Sequence, residues 1–111
     1  MKLNPDLLLG EITTKYGGKT YSSAKVALAY DCIFIAQEWF DNPTGYPIVV
    51  GAPSHYLKKD LKRYVRNRVR LGKYRGKHGF IPSFIWWFVA RAVINWLVDK
   101  IIELYFDQQK H

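Results

Sequence analysis

Two long stretches of this chain are apolar on nearly every side, and a chain of 111 residues has few ways to hide them. One runs from Ala24 to Phe40 (AKVALAYDCIFIAQEWF), with Asp31 and Glu38 on one side of it. The other, Phe80 to Val98 (FIPSFIWWFVARAVINWLV), has Arg91 as its only charge. Both are too long for ordinary strands and read as helices. A helix that is apolar all round belongs inside a core or against lipid. The chain is too short for two independent cores, so the expectation is a single domain over 1–111 in which these helices largely bury each other.

The remaining elements follow from turn and capping signals. Residues 1–23 read as an arm with a β-hairpin: Glu11 to Tyr16 (EITTKY), then Gly17-Gly18, then Lys19 to Tyr21. A Gly-Gly pair between β-prone runs suits a tight turn. A buried helix over 24–40 follows, with Ser22 or Ser23 as its cap. Asp41 to Pro47 (DNPTGYP) breaks the chain, and Ile48 to Val50 is extended. A basic helix occupies 54–72 and a basic glycine-containing loop 73–80. An apolar, tryptophan-rich helix occupies 82–107, with Pro82 suited to its first turn. The predicted fold class is therefore mainly α, a small α+β protein with an N-terminal hairpin and three helices.

Charge is concentrated in one place. Lys58 to Lys77 holds ten of the seventeen Lys and Arg residues and a single acid, so it accounts for the net charge of +8. Leu57, Leu61, Tyr64, Val65 and Val69 fall on one side of this helix, and Lys59, Lys62, Arg63, Arg66, Arg70 and Lys73 on the other. Arg68 sits among the apolar residues and must snorkel or meet an acid. Like charges at helical spacing repel, so a partner is expected. Phosphates of nucleic acid or anionic lipid fit, with Lys58, Lys59, Lys62, Arg63, Arg66, Arg70, Lys73, Arg75 and Lys77 as the candidate contacts. Acidic protein neighbours are the other possibility. The spacing matches no sequence-specific DNA-binding motif.

Three readings of the tryptophan helix stay open: a membrane span, a helix lying in a bilayer interface, and a core or subunit-contact helix. Trp86, Trp87 and Trp96 are its packing candidates. Along it a polar row continues from Arg91 through Asn95, Asp99 and Glu103. If Arg91 is buried it needs a carboxylate, and Asp31 and Glu38 are the best candidates for a buried ion pair, with Asp99 on its own helix facing partly the same way.

Recognisable catalytic chemistry is sparse. Tyr21 to Lys25 (YSSAK) resembles the Tyr-x-x-x-Lys element of short-chain dehydrogenases, but only twenty residues precede it and no glycine-rich nucleotide fingerprint is among them. The likeness is read as chance. His55, His78 and His111 are not spaced as a metal set, and Cys32 is the only cysteine. No enzyme, metal, cofactor or small-molecule substrate is expected. The apolar stretch at the N-terminus is too short for a signal peptide. The sequence thus points to a structural or binding subunit of a larger assembly, inside a cell or a virus particle, with membrane association open. A phage or virus particle component fits that description. The alternatives are a free nucleic-acid-binding protein without sequence preference and a small integral membrane protein.

Overall fold

The structure, a computed structural model, describes residues 2–41, 53–71 and 81–109. Among the described residues there are four helices and no strand: α1 Pro5–Tyr16, α2 Ser22–Asp41, α3 Ser54–Arg70 and α4 Ser83–Gln109. The last three match the helices expected from sequence to within three residues at each end. The extended segment at 48–50 and the basic loop at 73–80 lie outside the described residues.

The N-terminal hairpin is overturned: its first strand is part of α1. Asn4 caps this helix, its side-chain oxygen accepting from the backbone N–H groups of Asp6 and Leu7 at 3.0 and 3.4 Å. Pro5 takes the first turn, where its missing N–H costs nothing. Leu8, Ile12 and Tyr16, at steps of four, are the buried side chains. The β-branched Thr13 and Thr14 are accommodated because their hydroxyls donate to the Leu9 and Gly10 carbonyls one turn back, at 2.8 and 3.0 Å. The Gly-Gly pair is a turn, but between helices. Gly17 N–H closes α1 onto the Thr13 carbonyl at 2.8 Å, and Gly18 takes a φ of +74°, which favours glycine.

Each of the four helices contributes to one apolar cluster. α4 packs on α2 and α3, α2 on α3, and α1 on α2. Leu57, Leu61, Val65 and Val69 of α3 face inward with Trp86, Ala90, Val93, Ile94, Leu97, Val98, Ile101 and Ile102 of α4. Trp39 lies at the α2–α3 contact, its Nε1 donating to Asp60 Oδ2 at 3.2 Å. Leu3 N–H donates to Gln37 Oε1 at 2.7 Å and ties the start of the chain to α2. Among the described residues no buried side chain is polar or charged. None of the described helices is long and apolar enough to cross a membrane. The span read at 80–98 fails because α4 begins at Ser83 and soon carries Arg91, Asp99 and Lys100.

Cys32 is fully buried, and burial, with Asp31's charge adding to it, pushes its thiol far above the ordinary value. From about pH 8.5 upward the unfolded thiol loses its proton while the folded one keeps it. The unfolded state then binds fewer protons, so stability should fall by about 1.4 kcal/mol per pH unit. The tyrosines held high by burial, Tyr16 and Tyr64, add to this only nearer pH 10, where an unfolded phenol ionises. Urea denaturation at rising pH should show the slope below that point, and Cys32→Ala should flatten it. A wild-type midpoint independent of pH there would contradict the thiol's burial.

Candidate phosphate-binding site

The basic helix α3 and the polar row of α4 lie against each other in antiparallel register, and that register sorts the charges. Near the start of α3, Lys58 shares a hollow with Glu103 and Asp107. One turn on, Lys62 Nζ meets Asp99 Oδ1 at 3.0 Å. Arg63 Nη2 donates to Asp60 Oδ1 at 2.9 Å, one turn back on its own helix. Arg68, the basic residue on the apolar side, reaches α2: its Nη2 donates to Glu38 Oε2 at 2.7 Å. The same carboxylate accepts from the Tyr64 hydroxyl at 3.3 Å. Arg68's guanidinium also lies 5.6 Å from the Tyr64 ring centre. Burial first, and then Glu38 against the opposing pull of Arg68, holds the Tyr64 phenol above its ordinary value.

Toward the other end of α3, on the side that faces α4, the acids run out. Arg63, Arg66, Asn67 and Arg70 of α3 and Trp87 and Arg91 of α4 line a hollow of about 280 Å³. No carboxylate is among these lining residues. Arg70's guanidinium stacks over Trp87, 4.8 Å from the ring centre. Stacking holds that plane in place, and its N–H edges can then face an anion without further loss of freedom. Arg66 is steadied by its Nε, which donates to the Lys62 carbonyl at 3.3 Å. The volume is slightly below that of ordinary small-molecule pockets, roughly 300–1,000 Å³. It suits one anionic group rather than a whole cofactor.

The expected contact set is thus divided. Lys58, Lys62 and Arg63 stand next to acids, Lys59 is exposed, and Arg66 and Arg70 converge on the hollow. Lys73, Arg75 and Lys77 lie outside the described residues. The buried ion pair assigned to Arg91 is corrected: Arg91 is exposed, Glu38 is engaged by Arg68 and Tyr64, and Asp31 is half-buried. A helix that looks apolar all round still has a solvent side here, and Arg91 is on it. Arg91→Leu should therefore leave the urea midpoint stability within about 0.5 kcal/mol of wild type; a loss of several would restore the buried pair. Of the tryptophans, Trp86 is in the core. Trp87 and Trp96 are half-buried, and Trp96 meets Tyr16 edge to face at 5.5 Å.

Asn67, Trp87 and Arg91 are the hollow residues that sequence reasoning did not place there. The i+4 row on α4 was a usable signal, but only with the α3–α4 register known. Comparison with protein-family models, curated proteins and solved structures finds no match. No family is shown. Among the described residues no three His, Cys, Asp or Glu side chains gather as a metal set.

Proposed function

We propose that this chain is a non-enzymatic binding subunit whose arginine hollow holds phosphate groups of a polyanion. The observation that supports this is the convergence of Arg66, Arg70 and Arg91 on one concavity without a lining carboxylate, with Arg63, paired to Asp60, at its edge. Cations placed together repel, and an anion relieves that repulsion. Arginine in particular offers a planar fork that matches phosphate oxygens two at a time. The hollow's lining of arginine, asparagine and tryptophan offers hydrogen-bond donors for an anion and none of the side chains that usually serve as general acid or base. A component of a nucleic-acid-containing particle is a setting in which such a protein would work.

Nucleic acid and anionic lipid both present phosphates. Binding should be measured to labelled DNA and to phosphatidylserine vesicles as potassium chloride rises from about 50 to about 200 mM. Affinity for a polyanion that falls steeply and linearly on logarithmic axes is the expected result. No binding to either at the lowest salt would sink the reading.

A further inference from the structure

The hollow opens beside an aromatic surface. Phe84 and Phe88 are 74% and 77% exposed, among the most exposed large apolar side chains described. On α4 they share their side with Arg91 and Asn95, which are also exposed. Steps of four, three and four residues keep all four within about 60° of arc. One face of α4 therefore presents two bare rings and then Arg91, a wall of the arginine hollow.

We propose that this face holds single-stranded nucleic acid, with phosphates in the hollow and bases on Phe84 and Phe88. The proposal rests on the phosphate-binding reading and adds the rings to it. Aromatic side chains beside a cationic groove are what a single strand uses, because each base has a face to stack. The two rings are one helical turn apart, about 6 Å along the axis. That is nearly twice the 3.4 Å rise between stacked bases. Two neighbouring bases reach the two rings only when their mutual stacking is opened, and a duplex does not allow this.

Other occupants fit less well. A helix lying on a bilayer keeps its apolar side going, whereas this one turns polar after Phe88, with Arg91 and Asn95 following. A hollow is also poorly placed for a flat surface. A second copy meeting this face about a two-fold axis would set arginines against arginines.

Fluorescence anisotropy of labelled oligothymidylate, with a duplex of equal length and phosphatidylserine vesicles in parallel, tests the proposal. Wild type should prefer the single strand. Phe84→Leu with Phe88→Leu keeps apolar, helix-forming side chains but removes the rings. It should weaken single-strand binding by about tenfold per ring and leave the duplex unchanged. Single-strand affinity unaltered in this variant overturns the stacking, as does a loss confined to vesicle binding. Charge removal at Arg66, Arg70 and Arg91 separates the two claims. If it abolishes binding while the ring variant does nothing, only the stacking fails. If it too changes nothing, the phosphate reading fails with it.

Discussion

Trp39→Ala should cost about 3–5 kcal/mol of folding stability, the largest effect expected of any single substitution in this protein. Trp39 is 1% exposed and is the largest side chain wholly inside the core. Its indole packs edge to face on Phe40, with ring centres 4.9 Å apart, and its Nε1 bonds Asp60 across the α2–α3 contact. Truncation removes the contacts, leaves a cavity and strips Asp60 of a donor. Domains of this size hold only about 5–15 kcal/mol in total, so a fifth or more of the stability goes. Trp39→Phe separates packing from hydrogen bonding: it keeps most of the ring area and should cost about 1–3 kcal/mol, chiefly for the lost Asp60 bond. Urea denaturation followed by circular dichroism measures both. An alanine variant within 1 kcal/mol of wild type would show that Trp39 is not where the structure puts it.

Asp60 also links that core contact to the surface. It accepts from Trp39 through one oxygen and from Arg63 through the other. The only acid in the basic segment is therefore committed to holding α3 on α2 and to restraining the guanidinium at one edge of the hollow. From the sequence, Asp60 looks like a minor dilution of positive charge. Its role depends on a tryptophan twenty-one residues earlier.

The same contrast separates what the sequence reveals from what it conceals. α2 and α4 are legible because their apolar runs are long, α3 because Leu57, Leu61, Val65 and Val69 recur at helical spacing among bases, and Pro, Gly and Ser signals bound them. α1 is misread because Ile12, Thr13, Thr14 and Tyr16 favour strands as isolated residues, and the glycine pair after them suits a hairpin. The helical evidence is also there: Asn4-Pro5-Asp6 is a start signal, and Leu8, Ile12 and Tyr16 recur every four residues. Burial of that stripe outweighs the local preference. In the site, the excess of positive charge can be read directly, but its distribution cannot. Whether a lysine on α3 meets an acid depends on the register of α4, and composition carries no information about register. Phe84 and Phe88 show a further limit: the apolar run does not tell which of its rings are left in solvent.

The register makes a sharp prediction for the hollow. Arg66→Gln, Arg70→Gln and Arg91→Gln together should lower affinity for single-stranded DNA on the order of a thousandfold near physiological salt, at roughly 1.5 kcal/mol or more per charged hydrogen bond. The slope of log affinity against log salt should flatten by about 2, since each phosphate contact on a single strand contributes about 0.7. Stability should not fall, because these cations repel one another and no carboxylate lines the hollow with them. The same three positions changed to lysine distinguish geometry from charge. Lysine restores the slope, because counterions are released as before. It should not restore the affinity, because a point charge lacks the planar fork and cannot stack on Trp87 as Arg70 does. If the lysine variant binds as tightly as wild type, the hollow contributes nothing beyond net charge. Equal losses at Lys58, Lys59 and Lys62 would mean the same, since two of those lie beside acids on α4 and the third is exposed. A large difference between the two ends of α3 is what a built phosphate site requires.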